Sequence, residues 1–212
     1  MAKFGANYLK FNTIKEQPEG KLPLYDDKGP VQVGRLVKAD LAVNMASGEL
    51  YADDELAESL SVFSSGTLTA ETDDILDEVA AVIYGCEVKD KEVHYTYNDT
   101  APEGGLAYFK RLRRRGVEGF QCIYLPRVTA TIGNDTAQTR NNSITFSTMS
   151  TTFTVFACNS GDWRITHECA TEAEAKAWVD EKLGNAKAAT PDPDAGDGAE
   201  QGETGTEPET AG

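Results

Sequence analysis

The stretch from Leu36 to Gly85, LVKADLAVNMASGELYADDELAESLSVFSSGTLTAETDDILDEVAAVIYG, constrains the fold more than any other part of the chain. From Val37 to Met45 the residues alternate. Val37, Ala39, Leu41, Val43 and Met45 fall on one face, and Lys38, Asp40, Ala42 and Asn44 on the other. Period-two alternation is what a strand with one buried and one wet face produces, so a strand is expected here. Ser47-Gly48 breaks the run, and Glu49 to Glu58 carries five acids (Glu49, Asp53, Asp54, Glu55, Glu58) around Leu50, Tyr51 and Leu56. Such a cluster reads either as a solvated loop or as a contact loop, because its apolar residues exceed what solvation alone requires.

A second strand is expected from Leu60 to Ala70, softened or bulged at Ser64-Ser65-Gly66. A helix should follow. Thr72 is placed to cap it, and Asp73 and Asp74 sit in the first turn, where the helix dipole favours anions. Ile75, Leu76, Val79, Val82 and Ile83 make its apolar stripe, and Gly85 is placed to end it. A strand, acidic loop, strand and helix without a catalytic grouping point to a protein that packs against copies of itself.

Residues 1 to about 35 are punctuated by Gly and Pro, and read as an arm or loose edge. Beyond the helix, strands are expected at Val88–Tyr97, Leu106–Arg113 and Val117–Tyr124. The block Asn98 to Pro102 with Gly104-Gly105 is a turn signal, and Pro126 suggests an edge or a bend before Val128, Ala130 and Ile132. Gly133 to Asn142 is a polar loop. Ser143 to Ala157 is a Thr-rich strand whose phase switches near Thr148, as a bulge would require. A last strand runs from Trp163 to Cys169. The closing helix has a capping box, Thr171 with Glu174, then Ala175, Trp178, Val179 and Leu183 on one face and Gly184 as its stop. About eight strands and two helices imply a mainly β (α+β) chain, an antiparallel sandwich or barrel with two flanking helices.

The domain is expected to span residues 1–187. From Ala188 to Gly212 there is no aromatic or branched aliphatic residue, so residues 188–212 are expected to form a disordered acidic Pro/Gly tail. That segment holds seven acids and no Lys or Arg. It accounts for about half of the net charge of −15, and the remaining 28 acids and 20 bases leave the body at −8. Phosphate binding needs clustered Lys and Arg, so a body of this sign is no conventional nucleic-acid binder.

The four cysteines, Cys86, Cys122, Cys158 and Cys169, form no CxxC pair, and reduced, partly buried thiols are expected. The N-terminus lacks a continuous apolar region of the signal-peptide kind, and the longest strongly apolar run, Val79 to Tyr84, is far too short to span a bilayer. No membrane association is expected. His167 and Cys169 fall on one strand face, but two ligands do not make a metal site, and neither histidine belongs to a G-x-S-x-G setting. No phosphate-binding Gly loop occurs. No catalytic, cofactor-binding or metal residue is assigned, and an enzyme is not expected. The one basic cluster is Lys110, Arg111, Arg113, Arg114 and Arg115. It reads as a solvated hairpin tip, as a weaker contact to DNA phosphate, or, preferred here, as an electrostatic partner for the acidic loop of a neighbouring subunit.

Several segments, in order, resemble the major tail protein (tail tube protein) of long-tailed phages of Gram-positive bacteria. They are KFGANYLKF with EQPEGKLPLY, GRLVKADLAVNMASGELYADDELAES with SSGTLTAETDDI, GNDTAQTRNNSITFST, and TEAEAKAWVDEKL, spanning about residues 2 to 183. The resemblance implies a β-sandwich or barrel of the tail-tube type. It implies a homo-oligomer of stacked hexameric rings whose lumen passes DNA without specific binding. It also implies tape measure and tail initiator or terminator proteins as partners, the virion tail as location after synthesis in the host cytoplasm, and no active site or cofactor. The matching ring-stacking loop is Gly48, Glu49, Leu50, Tyr51, Asp53, Asp54, Glu55 and Leu56, and the N-terminal arm carries Phe4, Tyr8 and Phe11. Rival readings are a tube protein of a contractile or secretion machine, a virion-surface binding module, and a small hydrolase using Asp53 and Glu55.

Overall fold

A computed structural model describes residues 2–52, 55–90, 92–114, 116–135 and 148–184 of the 212. The acidic tail, Lys91, Arg115, Asp53, Asp54 and residues 136–147 lie outside the described residues, and the expectations made for them are not addressed by it.

In chain order the elements are β1 (Ala2–Glu16), β2 (Leu24–Tyr25), β3 (Val31–Gln32), β4 (Leu36–Ala52), β5 (Glu55–Thr72) and α1 (Asp77–Tyr84). There follow β6 (Glu87–Lys89), β7 (Glu92–His94), β8 (Glu103–Arg114), β9 (Val117–Asp135), β10 (Met149–Phe156), β11 (Ile165–Cys169) and α2 (Glu172–Lys182). The chain is mainly β, and the strand pairings are antiparallel. The main sheet runs β2-β1-β8-β9-β10-β5-β4, with β3 beside β1 and β11 beside β9. β4, at the far end of this path, comes back alongside β1, so the sheet curls around its contents.

The curl encloses one apolar cluster and leaves a second outside. Successive side chains of a strand point to opposite faces. On β8, Leu106 and Tyr108 therefore join the inner cluster while Ala107 and Phe109 join the outer. On β9, Ile123 and Leu125 point inward, and Cys122 and Tyr124 outward. α1 delivers Val79, Ala80, Ile83 and Tyr84 to the inner cluster, whereas α2 delivers Ala175 and Val179, with Leu183 behind them, to the outer. Val179 and Leu183 are fully buried, each contributing about 1.5–3 kcal/mol to holding α2 on β8 and β9.

The start of α2 follows its sequence signals. Thr171 Oγ1 accepts from the Glu174 backbone N–H at 3.2 Å while the Glu174 carboxylate accepts from the Thr171 N–H, a complete capping box. α1 departs from them. Thr72 does not cap it but ends β5, opposite both Leu36 of β4 and Met149 of β10, because ladder partners on both sides hold it extended. The Asp73 carboxylate takes the Arg35 backbone N–H at 2.7 Å, and α1 starts only at Asp77, with Leu76 at its N-cap and no side-chain cap. Gly85 ends it in the left-handed region at φ 72°, as its position predicts.

Pro126 does not bend the chain out of the sheet; β9 runs straight through it. On one edge β11 reaches only Tyr124 and β10 begins at Arg127, so no partner there needs the N–H that proline lacks. On the other edge the β8 register shifts between Gly104 and Leu106, placing Pro126 at an irregularity. Gly104 and Gly105 are likewise not a turn but part of β8. A Cβ on Gly104 would lie 2.2 Å from the Phe11 ring, and one on Gly105 2.3 Å from the Tyr25 hydroxyl. Glycine is required there by close approach.

The segment expected as an N-terminal arm is a correction. β1 is paired along its length with β8, from Ala2 opposite Arg113 to Thr13 opposite Gly104, and Leu9 and Phe11 are completely buried. Phe4 sits in register with Arg111. Tyr8 is a non-glycine residue at φ 62°, within the register shift between Asn7 and Lys10. Its Oη donates to Asp180 of α2 at 3.0 Å.

Candidate functional site: the projecting hairpin

The residues expected as a loop between two short strands instead extend both strands. β4 and β5 remain paired from Leu36–Thr72 outward to Ala52–Glu55. Gly48 lies opposite Leu60, Glu49 opposite Ser59, Leu50 opposite Glu58, and Tyr51 opposite Leu56. The inward-facing backbone groups of this segment are thus paired in a ladder, whereas past Gly66 neither outer edge of the ribbon has a strand partner among the described residues.

The hairpin has a rooted half and a projecting half. In the rooted half Leu41 and Leu68 are directly opposite and face the inner cluster, with Leu68 completely buried. The boundary is the register shift at Asn44–Met45, where Ser64 of β5 has no direct partner, within the Ser64-Ser65-Gly66 stretch expected to bulge. Beyond the shift Phe63 lies opposite Met45 and stacks on Trp163 with ring centroids 4.4 Å apart and planes 3° from parallel. This stack anchors the hairpin just beyond the shift.

On both sides of the register shift apolar side chains stand partly in the open. Val43 and Met45, on the Phe63 face, are 39% and 51% exposed. Val62 and Leu60, whose partners Ala46 and Gly48 lie on the opposite face of β4, are 53% and 66% exposed. A Cβ on Gly48 would meet no atom within 4 Å. The alternation of Val37, Ala39, Leu41, Val43 and Met45, read from sequence as a buried face, is therefore correct as strand and only partly correct as burial: Ala39 and Leu41 pack against the inner cluster, whereas Val37, Val43 and Met45 are 56%, 39% and 51% exposed. An apolar two-stranded ribbon exposed on both faces is marginal by itself in water and gains from any surface that covers it.

The basic cluster at the end of β8 is largely engaged within the same chain. Arg111 Nη2 donates to Glu172 Oε2 at 3.0 Å and its guanidinium lies 5.9 Å from the Phe120 ring centroid. Arg114 Nη2 donates to Glu168 at 3.1 Å, and Lys110 Nζ is 5.4 Å from the Tyr108 ring centroid. Arg113 is exposed and makes no ion pair among the described residues. Arg111 and Arg114 nevertheless keep side chains 44% and 55% exposed beside these pairs, and Arg115 is not described.

Lys10 and Asp180 gave no sequence signal, because they are 170 residues apart, yet their 2.6 Å ion pair joins β1 to α2. His167 stacks on Trp178 at 5.7 Å, and His94 lies 3.8 Å from Glu92 on the small β6–β7 hairpin. Among the described residues no group of three or more His, Cys, Asp or Glu is placed to hold a metal ion, and no helix is long and apolar enough to cross a membrane. Compared with known proteins, the chain matches no family model and no curated sequence.

Proposed function

We propose that this chain is a structural virion protein that assembles into stacked hexameric rings forming a phage tail tube through which DNA passes. The observation that carries the reading is the β4–β5 hairpin, which leaves Val43, Met45, Leu60 and Val62 exposed on its two faces. A ring stack supplies each hairpin with an identical receiving surface, so one modest apolar contact is multiplied by symmetry. The ordered segments of resemblance to tail tube proteins, and a curled antiparallel sheet with two helices, support a protomer of the tail-tube type. The net charge of −8 on the body, from 28 acids and 20 bases, fits a conduit that repels phosphate rather than binding it.

Negative-stain electron microscopy of the purified chain, dilute and then concentrated over days, tests the reading. Rings or hollow tubes are the expected outcome. A monomer under all conditions, and also in the presence of tail initiator proteins, would overturn it.

A further inference from the structure

The strands β9 and β11 bring together two cysteines that are 47 positions apart in the chain. Cys122 lies opposite His167 and Cys169 opposite Phe120, so the two cysteines are diagonal neighbours on adjacent antiparallel strands. Directly opposed residues share a face, and so do residues two apart on one strand, which puts both thiols on the outer face beneath α2. Their Sγ atoms are 3.7 Å apart and unbonded. A disulfide needs about 2.05 Å, so closure requires the sulfurs to approach by about 1.7 Å. Cys86 follows α1 and Cys158 sits in the turn after β10, where its thiol donates to the Asp162 carbonyl at 3.0 Å.

We infer that Cys122 and Cys169 are a disulfide-forming pair that clamps the β11–α2 end of the chain to β9 when a low-molecular-weight disulfide such as oxidised glutathione is present. The two cysteines are unequally exposed, Cys122 buried and Cys169 only partly so. Cys169 lines an open groove of about 380 Å³ between the β8–β9 hairpin and β11, together with Leu112, Val117 and Phe120. Cys122 is completely buried, and that burial pushes its thiol pKa up to about 12. The attacking sulfur is therefore Cys169, since the thiolate is the nucleophile and a buried thiol is inert until its partner is activated.

The exchange balances in two steps. Cys169 loses its proton, and its sulfur attacks the glutathione disulfide, breaking that S–S bond and releasing one glutathione that takes up a proton. Cys122 then loses its proton and attacks Cys169 Sγ, breaking the mixed disulfide and releasing the second glutathione, protonated in turn. Two protein thiols are oxidised by two electrons, and one glutathione disulfide is reduced to two thiols. Cys169 is two residues from the Thr171 N-cap, so the new bond fixes the start of α2. The consequence is a chain that is unlocked in a reducing cytosol and clamped in an oxidising medium. The inference does not depend on assembly into tubes.

The full-length chain treated with oxidised glutathione tests it by intact mass, non-reducing peptide mapping and thermal unfolding. The expected result is loss of two hydrogen atoms, a Cys122–Cys169 linked peptide, and a rise in Tm on the order of 10 °C that dithiothreitol reverses. Cys122→Ala should instead trap a lasting glutathione adduct on Cys169, and Cys169→Ser should react with neither outcome. A stable adduct on the unaltered chain, a bond to Cys86 or Cys158, two thiols that stay unreacted while the protein is folded, or a linked peptide with unchanged Tm would each overturn the clamp.

Discussion

Lys10, on the first strand, donates a hydrogen bond to Asp180, on the last helix, at 2.6 Å. The two side chains are only 13% and 17% exposed, and Tyr8 Oη occupies the other carboxylate oxygen at 3.0 Å. Burial pulls the Lys10 ammonium toward neutrality, but the Asp180 carboxylate and the Tyr8 hydroxyl outweigh it and hold its pKa above the ordinary lysine value. Asp180→Ala leaves that mostly covered ammonium without its counter-charge, and a loss of about 2–4 kcal/mol is expected. Urea unfolding should show a lower midpoint at unchanged slope. A loss below about 1 kcal/mol would mean that the pair behaves as an exposed surface bridge.

Two glycines, one in each half of the sheet, should respond oppositely to the same change. In Gly104→Ala the new methyl group meets the Phe11 ring at 2.2 Å and the Asn12 carbonyl at 2.6 Å, so the β1–β8 pairing must open. The expected cost is about 3 kcal/mol, at the upper end of overpacking effects. Gly48→Ala adds a methyl group in open space and should be neutral within about 0.5 kcal/mol. Equal effects in differential scanning calorimetry would contradict this account of the two sites.

Alkaline pH should unfold the chain through buried hydroxyls and thiols. Tyr124 and Tyr25 meet hydroxyl to hydroxyl at 2.5 Å, and Tyr25 donates onward to the Pro126 carbonyl at 2.8 Å. Burial raises the pKa of both phenols and of the Cys122 thiol. The folded state therefore keeps protons that the unfolded state releases, and stability falls as pH rises. The contribution is intact below about pH 8.5, the unfolded thiol value, and erodes through the unfolded tyrosine value near about 10 and above. Tyrosinate absorbance should rise together with loss of circular dichroism. Constant stability from about pH 8 to 11 would refute it.

What could be read in advance was local, and what could not was set by distant partners. The Thr171–Glu174 capping box, the Gly85 stop and the irregularity at Ser64 depend on a few neighbouring residues, and each is found in place. β1 escaped because its partner strand lies some hundred residues away, and because the positive φ of Tyr8 disrupts simple alternation. Pro126 misled because a missing N–H matters only where a partner strand needs it. The projecting hairpin was legible as strand up to Met45 but not as exposed. Periodicity reports that residues share a face, and whether that face is covered depends on where the inner cluster ends.

That distinction sets the last prediction. Leu60 and Val62 are 66% and 53% exposed, so Leu60→Ser with Val62→Ser removes little that holds the protomer together. The monomer's urea midpoint should stay within the range of surface substitutions, about 0.5 kcal/mol per site. Leu68→Ser, by contrast, places a hydroxyl in the inner cluster at a fully buried position and should cost about 3 kcal/mol or more. If the hairpin is the stacking contact, the double variant loses about 1.5–3 kcal/mol for each apolar side chain no longer covered, repeated at every copy in a ring. Stacked rings then fail to form although the protomer is folded. Sedimentation velocity would register this as a shift from large particles to single protomers or rings, and electron microscopy as the absence of tubes. Tubes of ordinary length built from the double variant would remove the hairpin from the contact and leave its exposed residues to another partner.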